Sequence, residues 1–266
     1  MTPENIASVD QLLHVHFSQI QQILFKFPGL DEIWVLRHIL NDPAQAEQNI
    51  RKALEWRKQN AQTLEFLANG GTLRTSEILK KYVKRGVCGW LNDQYLLYVV
   101  RAGQADPAGL CREVSHEELI QAVLFENAFI FRLLEDHTRI TRKICQLITV
   151  IDLQGFSMRR FDRRFAKANG ESSNLSSIYF PQFLKTVVLI NLPSTFRILF
   201  SFTKMFMSKQ ALDKNKLCPA KTKYGNARDC PYLRQFDPQV IQIIPYFLGG
   251  ELHLPLLDIE KEEEGD

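Results

Sequence analysis

Apolar residues at Val9, Leu12, Leu13, Val15, Ile20, Ile23 and Leu24 recur at helical spacing and predict a helix over residues 8–26, ended by Pro28-Gly29. Ile33, Leu36 and Ile39 predict a second short helix over 31–40. Asp42-Pro43 reads as a cap and first position of a third, running to about Gln62 with Ala46, Ile50, Ala53 and Leu54 facing inward. After the Gly70-Gly71 break the period changes. Gln94–Val100 reads as a buried strand, joined through a hairpin turn at Asn92-Asp93 to the segment around Val87-Cys88. Ser115 and Glu118 form a capping box for a helix to about Thr138. Ile144–Leu153 is a near-continuous apolar run, as in a strand covered on both faces. Helices are expected over 158–168 and 172–183, a strand over Thr186–Ile190, and a Phe-rich helix over about 194–207.

Strands alternating with helices predict an α/β fold: a mixed, largely parallel sheet floor flanked by helices, behind an all-helical N-terminal subdomain. The expected division is a helical subdomain over 1–68, a main domain over 69–256 and an acidic, disordered tail over 257–266. An apolar fraction of 45% in 266 residues suffices for a full core. A net charge of +3 gives no ground for a nucleic-acid partner, although Lys and Arg concentrate between Arg159 and Arg228. Five cysteines, an odd number with no CxxC, argue for free thiols rather than disulfides or zinc. The six histidines show no HExxH spacing, and no GxSxG or P-loop occurs, so no catalytic residue, metal or cofactor is expected. With no cationic leader and no apolar run of spanning length, the expectation is a soluble cytoplasmic monomer touching membranes transiently and peripherally.

Four segments then carry a resemblance. DEIWVLRHIL and AEQNIRKALEWRKQN form a helical lead-in closing on Trp56-Arg57-Lys58; ITVIDLQGFS (148–157) is a strand with an Asp-x-x-Gly turn. YFPQFLKTVVLINLPSTF (179–196) runs from a Tyr-Pro pattern through a strand to Asn-x-Pro-x-x-Phe, and IPYFLGG (244–250) closes the series. In this order they resemble the CRAL-TRIO lipid-binding family, the fold of the yeast secretory-pathway phosphatidylinositol-transfer protein. The resemblance implies a lipid pocket with a sheet floor, gated by the helix after Asn191-Leu192-Pro193, and no catalysis. It also implies headgroup positions: Lys214 matches the family's lysine, whereas Gln182 stands for its acid, Ala211 for its threonine, and no cation is retained near Asp42. The ligand class therefore stays open among a phospholipid, phosphoinositides included, and another hydrophobic small molecule.

Physics gives a parallel reading. A two-chain lipid leaving a bilayer exposes apolar surface worth on the order of 20 kcal/mol, which a carrier must replace with its own wall. Phe196, Leu199, Phe200, Phe202 and Phe206 make residues 194–207 apolar nearly all round, suiting either a gate between ligand and membrane or a packed core helix. Tyr95, Tyr98, Ser157, Tyr179, Gln182 and Lys214 are the polar pocket candidates. Arg159, Arg160, Arg163, Arg164 and Lys209 are candidates for an anionic membrane surface, against the alternative of a solvated charged face. The function expected is binding one lipid and transferring or presenting it between membranes. The alternative is a non-transferring scaffold of the same fold that binds a protein partner or a membrane through its basic face.

Overall fold

The computed structural model describes residues 7–91, 93–192 and 214–217. The chain opens with helices α1 (Val9–Val15), α2 (Phe17–Lys26), α3 (Glu32–Asn41), α4 (Ala46–Gln59) and α5 (Ala61–Ala68), then α6 (Arg74–Tyr82). Strand β1 (Arg85–Leu91) leads to β2 (Tyr95–Val100), followed by α7 (Pro107–Glu113), α8 (His116–Thr141), β3 (Gln146–Asp152), α9 (Arg163–Tyr179), β4 (Leu184–Ile190) and β5 (Asn215–Leu217). The sheet order is β1-β2-β3-β4-β5; β1 runs antiparallel to β2 and every other pair is parallel. This is the mixed, largely parallel α/β architecture anticipated.

Several boundaries differ from expectation for local reasons. The helix predicted over 8–26 breaks at His16, where φ is −99°. Its first half is tied to the end of α8 by Val9 N–H donating to Arg142 O at 2.9 Å and by the Asp10–Arg142 ion pair. The axis then turns so that Val9, Ile20 and Ile23 reach one core. Asp42 ends α3 rather than capping α4. Its Oδ1 accepts from the N–H groups of Ala44 and Gln45 at 3.1 and 3.2 Å, a side-chain turn that delays α4 to Ala46. Helices α6 and α7 were not anticipated, although Asp106 capping Gly109 N–H at 2.9 Å with Pro107 next is a start signal. The two helices expected over 158–168 and 172–183 are one, α9, preceded by a 3-10 turn at Met158–Arg160. Gly170 does not break it, because it is buried in a helix packed closely on α8.

The N-terminal helices share a core with the rest of the chain. Val35, Leu36, Ile50 and Trp56 cluster with Leu124, Phe125 and Phe131 of α8 and with Phe180. Arg37, fully buried on α3, donates to Thr138 Oγ1 at 2.6 Å, to Cys145 O at 3.0 Å and to Gln182 O at 3.4 Å, joining helix to sheet. Strand register sets the two sheet faces. Tyr98 pairs with Thr149 and Thr149 with Val187, so their side chains share one face. On that face Leu96, Tyr98 and Leu147 pack with Ile130 and Leu134 of α8.

Candidate ligand cavity

Between this sheet face and helices α8 and α9 lies a cavity of about 210 Å³. Its floor comes from Arg85, Tyr98, Leu147, Thr149 and Leu184, one or two from each of the first four strands. Helix α8 contributes Val123, Glu126 and Asn127; the turn after α9 contributes Phe180 and Phe183; Asn41 and Lys214 complete the wall. The remaining wall is a polar stripe of α9. Asn169, Ser172, Ser173, Ser176 and Ser177 all line the cavity, at i, i+3, i+4, i+7 and i+8, where an amphipathic helix facing a core would carry apolar groups.

Three of these residues form a network. Glu126 accepts from Tyr98 Oη at 2.5 Å with one carboxylate oxygen and from Arg85 with the other. The Arg85 side chain is 10% exposed and that of Glu126 29%. Burial alone would lower the Arg85 pKa, but the Glu126 carboxylate beside it outweighs this and holds it above its ordinary value. Burial, reinforced by the same carboxylate, drives the Tyr98 phenol well above its usual range, so Tyr98 is a fixed donor. Nearby, Asn127 donates to Ser176 Oγ at 2.8 Å, and Ser172 and Ser177 donate to the carbonyls of Asn169 and Asn174. Burial, with Lys185 close by, lowers the Lys214 pKa. The Lys214 carbonyl accepts from Thr186 Oγ1 and Val187 N–H, fixing it beside β4.

The residues singled out from sequence are thus distributed. Tyr98 and Lys214 come together in the cavity wall. Tyr95 opens β2 with Lys185 Nζ at 5.9 Å from its ring centre. Gln182 bridges elements: its Nε2 donates to Leu40 O at 2.9 Å and its Oε1 accepts from Gln146 at 3.0 Å. Tyr179 stacks on Trp56 at 5.3 Å, lining a separate surface groove between α4 and Phe27. Ser157 caps the 3-10 turn. Arg159, Arg160, Arg163 and Arg164 are exposed, and Arg164 pairs with Asp162 at 2.7 Å. Phe196, Leu199, Phe200, Phe202, Phe206 and Lys209 lie outside the described residues. Sequence reasoning did not pick out Arg85, Glu126 or the serine stripe. The stripe was legible, since polar residues recur at helical spacing over 169–177; the Arg85–Glu126 pair, 41 residues apart, left no local signal.

Among the described residues no group of three or more His, Cys, Asp or Glu is placed to hold a metal, and no helix is long and apolar enough to cross a membrane. The CRAL/TRIO domain profile matches residues 80–249. The chain belongs to the CRAL/TRIO domain family. Two mosquito relatives, both called Protein real-time, are similar to it. The Anopheles gambiae protein is 26% identical over 208 residues, covering 77% of this chain and 29% of that protein. The Aedes aegypti protein is 25% identical over 209 residues, covering 77% and 31%. The chain thus spans under a third of the length of these relatives. A crystal structure of Sfh5 aligns with a TM-score of 0.48 at 15% identity, over 94% of this chain and 97% of that one. CRAL/TRIO domains are in general lipid-binding carriers rather than enzymes.

Proposed function

We propose that this CRAL/TRIO chain holds a single lipid with one end in the cavity between sheet and α8–α9, and transfers or presents it between membranes. The observation that carries the reading is a cavity walled by apolar and hydrogen-bonding side chains together: Leu147, Phe180, Phe183 and Leu184 beside Tyr98, Thr149 and the α9 hydroxyls. Ligand sites pair an apolar wall with a few placed polar groups. At about 210 Å³ the cavity admits part of a lipid, with the remainder accommodated beyond it. The Phe-rich segment 194–207 is the gate in this reading, because its all-round apolar character suits ligand on one side and membrane on the other. The exposed Arg159, Arg160, Arg163 and Arg164, with Lys209, dock on anionic headgroups. The ligand enters from a membrane and the protein works at that membrane's cytoplasmic side.

The scaffold reading draws on one observation, the cavity volume, which is below the roughly 300–1,000 Å³ of drug-sized sites. Lipid uptake separates the two. Protein incubated with phospholipid vesicles and re-isolated carries one lipid per chain under the carrier reading. Unchanged, lipid-free protein supports the scaffold.

A further inference from the structure

The inner face of α9 is polar where a wall built for a purely hydrocarbon ligand would be apolar. Ser172 and Ser176 are buried, and with Asn127, Asn169 and Ser173 they turn one wall of the cavity into a field of hydroxyls and amides. Ser172 donates to Asn169 O and Ser176 accepts from Asn127, which fixes this wall in place. Opposite them stands Arg85, nine-tenths buried, anchored by Glu126. One N–H of its guanidinium reaches Glu126, and the group has further donors beyond that bond. The two oxygens of Glu126 are both engaged, by Arg85 and Tyr98. Among the described residues the lining holds two cations, Arg85 and Lys214, and one carboxylate, Glu126. The described wall thus carries more positive than negative charge and the spare donors of Arg85, around a volume of about 210 Å³ that suits a compact polar group rather than two acyl chains.

We propose that Arg85, positioned by Glu126, receives the acidic group of the ligand, and that the ligand is a lipid bearing a phosphate or carboxylate that enters the cavity polar end first. This rests on the carrier reading and deepens it. The serine stripe of α9 and Asn127 supply hydrogen bonds around the acid, and Tyr98 and Glu126 hold the guanidinium in place. The acyl portion extends away from the α9 stripe, past Phe180, Phe183 and Leu184.

The test uses the full chain and vesicles containing equal amounts of dioleoyl phosphatidic acid, dioleoyl phosphatidylcholine and dioleoylglycerol. The protein is re-isolated and its lipids quantified by mass spectrometry. Phosphatidic acid is expected to be enriched over dioleoylglycerol by about tenfold or more, the factor of one charge-assisted hydrogen bond. Arg85→Met is expected to bring that ratio toward one, and Arg85→Lys to retain more of it. Because Arg85→Met leaves Glu126 unpaired, the double variant Arg85→Met/Glu126→Gln, which removes both charges, is expected to lose the enrichment with a native far-UV circular dichroism spectrum. Equal uptake of dioleoylglycerol and the two phosphate-bearing lipids, preference for dioleoylglycerol, or an unchanged ratio in the double variant would overturn the inference while leaving lipid binding intact. Uptake of no lipid at all would defeat the carrier reading itself. In a parallel arm with millimolar inorganic phosphate, loss of phosphatidic acid uptake would assign the cavity to a soluble anion and overturn the lipid form of the proposal.

Discussion

Arg101 and Asp152 meet at 3.2 Å where β2 and β3 end, in an ion pair whose side chains are 2% and 1% exposed. Asp152 is also the hub of the neighbouring turns. Its Oδ1 accepts from Gln154 N–H at 2.9 Å and from Asn191 Nδ2 at 2.8 Å, and Asn191 has φ of +53°. Truncating one partner of such a pair leaves an uncompensated buried charge. Asp152→Ala is therefore expected to destabilise the chain by about 3–5 kcal/mol, read as a lowered midpoint of urea unfolding. A loss under 1 kcal/mol would show that water replaces the carboxylate at little cost.

Gly103 lies against the same turn. A Cβ placed there would come 1.9 Å from the carbonyl oxygen of Gln154, a backbone atom that cannot swing away. Gly103→Ala is expected to cost about 1–3 kcal/mol. Equal thermal stability of variant and parent would mean that the turn shifts freely.

Stability should also depend on pH through His38. It is 1% exposed, and burial, followed by the nearby charge of Arg57, lowers its pKa from 6.5 to about 3. Above pH 6.5 the residue is neutral in both folded and unfolded chains and contributes no slope. Between pH 6.5 and about 3 the unfolded chain binds a proton that the folded chain refuses, so stability falls as pH falls, by at most about 1.4 kcal/mol per pH unit. Urea midpoints of the parent at pH 7 and pH 5 should differ by more than those of His38→Gln. Parallel pH profiles would contradict the assignment.

The gate can be probed separately from the cavity. Phe202→Asp puts a charge in the Phe-rich segment and is expected to abolish transfer between vesicles while leaving far-UV circular dichroism nearly native. Global unfolding would instead identify that segment as packed core.

Local patterns carried much of the fold. The Ser115–Glu118 capping box forms as read, with both reciprocal bonds present. The β2, β3 and β4 runs are strands because their apolar residues face covered surfaces on both sides. What the pattern missed depends on contacts distant in sequence. Helix α1 turns into α2 because Arg142, over a hundred residues on, holds its start. Gln182 aligns with a headgroup residue of the family but is occupied by Leu40 and Gln146, a placement that only the packing of α3 on the sheet reveals. The cavity was the least legible part. An oily interior was the natural expectation from 18 phenylalanines, yet the α9 stripe reverses the usual amphipathic rule and Arg85 finds its carboxylate across the fold.

The central claim, one lipid end held between α9 and the sheet, is tested most directly by filling that space. Ser173 lines the cavity and its side chain makes no hydrogen bond among the described residues, so Ser173→Phe places a ring where the ligand would lie. Native mass spectrometry of parent and variant after exposure to phospholipid vesicles gives the readout. A one-to-one lipid adduct is expected on the parent, and its loss from a folded Ser173→Phe protein. An undiminished adduct on the variant would place the lipid elsewhere and contradict the central claim.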